Sequence, residues 1–477
     1  MNRNSLIAIP IAAFTLTALC GLYAGSSTSG AQQTALDTVA IIGVTVVDPG
    51  SAGPSARDQT IVVSNGRIMA VGKRSSTVIP RGARRVMAQG KFVIPGLWDG
   101  HVHFMNTGST ALPLLVAHGV TSVREMGGYI DSTRAWQARM RSGTLVGPRI
   151  VTPGPILESP RYLQRVRERS VRDPRIGLRI LPYRLGVVDS VDARRAIDSL
   201  VKLRVDFVKI RTAASPEALY AILREARRAG LKVAGHDAAV VSLRNAVDSG
   251  QTDVEHGFLP PLSRHAKPLR DSIYRKFAER GAWYTPTLSV SRAVMLSGDS
   301  AMKAIFSDDA VRGDARRPFA SPWLLEWWRM QVEERALDTS STRAAEGQEY
   351  YRSTTNDVRN MRDAGVRILA GTDAGSVLVY PGFSLHEELQ LLVEDAGLTP
   401  REALWAATVG PVQFVGLEAT VGRVAKGQVA DIVLLEADPL RNIRNTRRIF
   451  AVMQAGRLHS RKDLDLMLEG VRREVSR

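Results

Sequence analysis

The residues of this chain best suited to chemistry are a scattered set of histidines, one lysine and one aspartate. His101 and His103 stand in Asp99-Gly-His-Val-His103, directly after an apolar, strand-like run. In an extended chain residues i and i+2 point to the same side, so both imidazoles can reach one metal ion. His236 ends Val233-Ala-Gly-His, His256 ends Val254-Glu-His, Lys209 lies in Phe207-Val-Lys-Ile, and Asp373 ends Ala370-Gly-Thr-Asp. Each alone has an ordinary explanation: a satisfied histidine, a lysine reaching for water, an aspartate capping a turn. Together they are harder to dismiss, because four of the eight histidines fall at the ends of predicted strands. On a barrel those ends converge on one mouth, where barrel active sites form.

Lys209 requires its own account. A bare ammonium inside a parallel strand costs several kcal/mol unless it is paired, and it would repel nearby cations. A lysine of near-neutral pKa can react with carbon dioxide to give an anionic carbamate, which could bridge two metals roughly 3.5–4 Å apart. The ordinary alternative is an ion pair with Asp206, Glu255 or a substrate carboxylate. The carbamate is favoured. With nitrogen and oxygen ligands and an open position, zinc is the expected ion.

The elements that must position these residues are legible as alternating strands and helices. Strand-like runs begin at Phe92, Val120, Arg149, Phe207, Lys232, Thr252, Trp283 and Val366, mostly separated by helix-length segments. Eight such units predict an α/β fold, a (β/α)8 barrel over 94–414. One separator is well punctuated: Ser215 can cap, Pro216 suits the first turn, and Gly230 ends the helix. The separator from Ser291 to about Arg362 is too long for one barrel helix, and its Trp323, Trp327 and Trp328 are read as core in preference to a lid. Before the barrel, Asn65-Gly66 between two β-prone runs signals a hairpin. Similar β-prone material returns at Val429 to Leu435 and Ile449 to Gly456. Neither end has strands enough for its own sheet, so 37–93 and 415–462 are expected to combine in a small β-sandwich, with 463–477 a C-terminal helix or tail.

Residues 1–31 read as an export signal: Arg3, an apolar run from Leu6 to Leu19, then small and polar residues suited to cleavage after Ala31. The protein is therefore expected to be periplasmic or secreted. Lipid anchoring at Cys20, the only cysteine, is disfavoured because Leu19 precedes it. Without residues 1–31 the chain has no cysteine, hence no disulfide, thiolate metal site or cysteine nucleophile. No later stretch is long and apolar enough to span a bilayer. The net charge of +17 comes from 64 basic and 47 acidic residues. Its arginines are dispersed without an aromatic-interleaved patch, so nucleic-acid binding is not expected.

The chain resembles the amidohydrolase superfamily, and within it the imidazolonepropionase- and prolidase-like branch. The resemblance runs from about Val39 to Leu458. It rests on Pro95-Gly-Leu-Trp-Asp-Gly-His-Val-His103, Gly119-Val-Thr-Ser-Val-Arg124, Phe207-Val-Lys-Ile, Val254-Glu-His-Gly257 and Gly371-Thr-Asp373. Later, Glu402-Ala-Leu-Trp-Ala-Ala-Thr408 and Val421-Gly-Arg-Val-Ala-Lys-Gly-Gln-Val-Ala-Asp431 also match. It implies a barrel beside a split β-sandwich. It also implies that His101, His103 and Asp373 hold one metal, His236 and His256 a second, with carboxylated Lys209 bridging. The branch often carries His-x-His at the fifth strand; here Ala238 replaces the second histidine, which bears on substrate and not on the metals.

The expected reaction is hydrolysis of an amide bond in a small molecule, a dipeptide or an N-acyl amino acid. Asp373 would take the proton of the attacking hydroxide and return it to the leaving amine. Arg124, Tyr284 and His386 are weaker candidates for substrate contacts. The alternatives are a lactonase or phosphotriesterase and, less in keeping with a bridging lysine, a deaminase. An inactive binding or scaffold relative would have lost a ligand, and all six are present. A homo-oligomer is compatible with the sequence, which does not fix the oligomeric state.

Overall fold

The computed structural model describes residues 38–296, 314–336 and 343–476; the proposed signal at 1–31 lies outside them. Five strands lead the described chain: β1 (Val39–Val46), β2 (Ala56–Ser64), β3 (Arg67–Lys73), β4 (Arg84–Met87) and β5 (Phe92–Pro95). The β2–β3 turn is the Asn65-Gly66 hairpin, with positive φ at both residues, 51° and 76°, as a type I′ turn requires.

Ten strands follow: β6 (Leu97–Val102), β7 (Val120–Glu125), β8 (Arg149–Val151), β9 (Ile156–Glu158), β10 (Arg184–Gly186), β11 (Val208–Ile210), β12 (Val233–Gly235), β13 (Asp253–Glu255), β14 (Trp283–Thr285) and β15 (Arg367–Ile368). They pair in parallel as β6-β7-β8 and as β10-β9-β11-β12-β13-β14-β15. Backbone hydrogen bonds join the two groups. Gly100 N–H donates to the Ala370 carbonyl at 2.8 Å, Asp373 N–H to His101 at 2.8 Å, and Asp206 N–H to Thr152 at 2.9 Å. The result is a TIM-barrel arrangement in which β9 and β10 are additions between the third and fourth barrel strands. The expected first strand, Phe92 to Trp98, is in fact two. Gly96 divides it, donating its N–H to the Asp431 carbonyl, so β5 enters one sheet and β6 another.

The chain ends with β16 (Ile432–Leu435), β17 (Ile449–Gln454), β18 (Arg457–Ser460) and a helix, Arg461–Val475. These strands continue the N-terminal ones in a single sheet, β18-β17-β16-β5-β1-β2-β3, with β4 beside β1. The joint is antiparallel, with Val433 opposite Ile94 and Leu434 opposite Val93. The pairing thus unites both ends in one sheet; it does not record two stacked ones. β16 is buried on both faces. Ile432 and Leu434 pack within the sheet's own core with Ile41 and Ile61, whereas Val433 and Leu435 join the barrel core. That alternation is the period-2 rule of a strand, and it seats the barrel on the sheet.

Between β14 and β15 run helices Leu288–Leu296, Pro322–Ala336 and Arg343–Asp363. Trp328 is fully buried in a cluster with Leu324 and Tyr380 and donates its indole N–H to the Gly375 carbonyl at 3.2 Å. Trp323 departs from the expected core role. It is 47% exposed, bonds the Met105 carbonyl at 2.8 Å and lies under the Arg179 guanidinium. No helix among the described residues is long and apolar enough to cross a membrane.

Candidate active site

His101 lies near the end of β6 and His103 directly follows it, Lys209 is the middle residue of β11, and His236 and His256 directly follow β12 and β13. Asp373 lies beyond β15 and is fastened to His101 through the backbone. His101 Nε2 faces His103 Nε2 at 3.3 Å. Asp373 Oδ1 lies 3.5 Å from the first and 3.2 Å from the second. These three form the one group among the described residues whose ligand atoms converge closely enough to hold an ion. The His256 ring lies 4.7 Å from both the His101 and His236 rings, centre to centre.

Buried hydrogen bonds fix the orientation of these rings. His101 Nδ1 meets Glu255 Oε2 at 2.7 Å. Burial drives the His101 pKa well below 6.5, and with Nδ1 bonded to the Glu255 carboxylate its Nε2 faces the cluster. His256 Nδ1 is held by the Thr287 hydroxyl at 2.7 Å. Burial also lowers His236 and His256. Burial alone would raise Asp373, but its bond to His103 and the surrounding imidazoles hold it well below the carboxylate range. Ser376 donates to its Oδ2 at 2.9 Å.

Two of the candidate ligands sit in a disfavoured backbone conformation, His256 at φ +67° and Asp373 at φ +62°. A left-handed non-glycine residue costs about 1–3 kcal/mol and persists where the surroundings over-determine it. Both are clamped here, His256 N–H by the Thr285 carbonyl and Asp373 N–H by that of His101, each at 2.8 Å.

Lys209 is 1% exposed, and its Nζ has no hydrogen-bond partner. Burial lowers its pKa to about 8. Both protein partners considered for it are engaged elsewhere: Asp206 caps Thr152 N–H at 2.8 Å, and Glu255 is held by His101 and Arg124. Convergent imidazole lone pairs, a carboxylate and an unpartnered buried amine form a donor set suited to divalent cations and a carbamate.

The three weaker candidates for substrate contacts are all buried, at 2% exposure or less. Arg124 is 1% exposed and bonds the Gly100 carbonyl, Asp253, Glu255 and Thr285; it carries the carboxylate that orients His101. Tyr284 is fully buried and stacks on Phe258. His386 is buried in helix Phe383–Glu394, between the Thr446 hydroxyl and the His118 carbonyl. Arg124 and His386 are thus held by partners distant in sequence, whereas the buried Tyr284 hydroxyl has no hydrogen-bond partner. Sequence reasoning passed over Asp99, Asp253 and Thr287. The signal for Asp253 was present: Asp253 and Glu255 alternate in a buried strand, and buried carboxylates there demand a buried cation.

The family model for the amidohydrolase family matches residues 92–458. Ochratoxinase of Aspergillus niger is 25% identical, over 85% of this chain and 83% of its own. Imidazolonepropionase of Streptomyces griseus is 36% identical over a shorter stretch, 21% of this chain and 25% of its own. Among solved structures, a Xaa-Pro dipeptidase with bound methionine superposes with a TM-score of 0.65 at 18% identity, covering 89% of this chain and all of that one. The chain belongs to the amidohydrolase family and is a hydrolase acting on carbon–nitrogen bonds.

Proposed function

We propose that this protein hydrolyses the amide bond of a dipeptide or N-acyl amino acid, using two divalent metals, zinc by preference, bridged by carboxylated Lys209. The observation that carries the reading is Lys209 itself: an amine with no partner, buried among His101, His236, His256 and Asp373. His101, His103 and Asp373 would hold one ion and His236 and His256 the other. Bound there, the metals supply a Lewis acid for the carbonyl and lower the pKa of attacking water to near neutrality. The chain's own part is proton transfer and orientation. Asp373 Oδ2, steadied by the Ser376 hydroxyl, takes the proton of the attacking water and delivers it to the departing amine. Glu255 would hold the His101 ring in one tautomer, and Thr287 would fix the orientation of the His256 ring. The dipeptidase likeness favours a peptide-like substrate.

Metal analysis of the purified protein beside Lys209→Ala tests this. About two metals per chain, falling sharply in the variant, is the expected result. One metal unaffected by the variant would replace the bridged pair with a mononuclear site. We further propose that residues 1–31 direct export, which N-terminal sequencing of the protein recovered outside the cytoplasm would check.

A further inference from the structure

Beside the ligand cluster lies a second charged group that the proposed chemistry leaves unused. Glu158, the last residue of β9, is fully buried. It accepts from Arg184 Nη1 at 2.6 Å and from the Thr212 hydroxyl at 2.6 Å. Arg211 Nη1 stands 3.8 Å away, near enough for charge attraction but beyond a hydrogen bond. One carboxylate therefore faces two guanidinium groups. The Arg184 side chain is 9% exposed, and its Nε has no hydrogen-bond partner; nor has the buried Nη1 of Arg211. Aromatic rings back both cations, with Arg211 4.2 Å over Tyr162 and Arg184 4.9 Å over Tyr183.

The place of this group in the fold relates it to the reaction. Arg211 N–H continues the β11 ladder to the Leu157 carbonyl. In that extended run it stands two residues beyond Lys209 and so faces the same side. The Nη1 of Arg211 and the Nε of Arg184 are buried donors without an acceptor, and such donors are costly unless an acceptor arrives to meet them. The planar fork of arginine matches a carboxylate with two parallel N–H bonds.

We propose that Arg211 and Arg184, braced on Glu158, form the subsite that binds a free carboxylate on the substrate. The inference rests on the amide-hydrolase reading and sharpens it: the preferred substrates are acids, a dipeptide with its C-terminus free or an N-acyl amino acid, and not their amides or esters.

The test is calorimetric binding to the metal-loaded protein, with a panel of N-acetyl amino acids and free dipeptides set against the C-terminal amide of each. At least one acid should bind about ten to a hundred times more tightly than its amide, the range of one or two hydrogen bonds to a charged group. In Arg211→Gln, where a side chain one-third exposed is changed, that ratio should fall toward one while metal content holds. Arg211→Lys should recover only part of it, since charge returns without the fork. Equal binding of acid and amide, no binding of any acid, or a preference that survives in both Arg211→Gln and Arg184→Gln would overturn the proposal. Failure of the amide-hydrolase reading would look different, as tight acid binding without turnover.

Discussion

Asp99 and Thr372 stand 273 positions apart in the chain and are joined by two hydrogen bonds in the barrel interior. Asp99 Oδ1 takes the Thr372 N–H at 3.0 Å, and Oδ2 takes its hydroxyl at 2.7 Å. The same Oδ1 accepts from His101 N–H at 3.2 Å. One buried carboxylate thus fastens the end of the first barrel strand to the turn after the last, holding His101 within reach of Asp373.

Replacing Asp99 by alanine should therefore disturb both stability and site. Leaving the buried Thr372 N–H and hydroxyl without their acceptor costs about 2–3 kcal/mol, the usual penalty for unsatisfied buried polar groups. The Asp99→Ala variant should lose that much in a urea melt and bind metal less tightly. A loss under about 0.5 kcal/mol, the range of an ordinary surface change, would show that the backbone bonds suffice.

Gly235 tests the close approach of β12 and β11. A Cβ there would stand 2.1 Å from the Ile210 carbonyl oxygen, a backbone atom that also accepts from His236 N–H. Gly235→Ala must push the two strands apart, between Lys209 and His236. Overpacking of this kind costs about 1–3 kcal/mol. Metal content should fall more steeply than the melting temperature, because two proposed ligands move.

Arg124 neutralises a buried pair of acids, Asp253 and Glu255. Arg124→Met would strand both charges, and breaking a buried pair from one side typically costs about 3–5 kcal/mol. Adding Asp253→Asn should recover part of that loss. Strict additivity in the double-mutant cycle would show that the two do not act together.

Glu388 predicts a pH dependence away from the ligands. Its carboxyl is fully buried and accepts from Leu288 N–H at 2.9 Å, Ser289 N–H at 2.6 Å and the Ser289 hydroxyl at 2.8 Å. Burial prevails over those bonds and raises its pKa from 4.5 to about 8. A raised carboxyl pKa means that the folded state keeps a proton the unfolded chain gives up. Its contribution is present in full below 4.5 and is lost as pH climbs through about 8. The stability of the wild type relative to Glu388→Gln should decline across that window, as followed by chemical denaturation at stepped pH. A constant difference would show that Glu388 keeps an ordinary pKa.

The barrel was legible because its strands are short apolar runs between helical segments, and the hairpin because Asn65-Gly66 favours one turn type. The six proposed ligands could be picked out because His, Lys and Asp are out of place in buried strand ends unless something binds them. Their supports were not legible. Glu255 reaches His101 and Arg124 from another strand, and Asp99 reaches Thr372 across the closure of the barrel; such pairings depend on register that no local pattern encodes. The burial of Arg124, Tyr284 and His386 was not legible for the same reason. A residue type signals a capacity to bond, and the fold decides which partner takes it up. The added strands β9 and β10 were missed because β9 follows β8 with no helix between them and β10 has no buried residue to mark it, and the arginines around Glu158 were lost with them.

The seam between β5 and β16 has a consequence for synthesis. As the chain leaves the ribosome, Val93 and Ile94 emerge long before the partners that cover them, Leu434 and Val433. For most of translation the N-terminal strands carry an unpaired, apolar edge, the kind of surface that recruits chaperones or neighbouring nascent chains. Final closure must await the last tenth of the polypeptide, so folding is gated by chain completion, and a ribosome that stalls before codon 432 releases a product with an open edge.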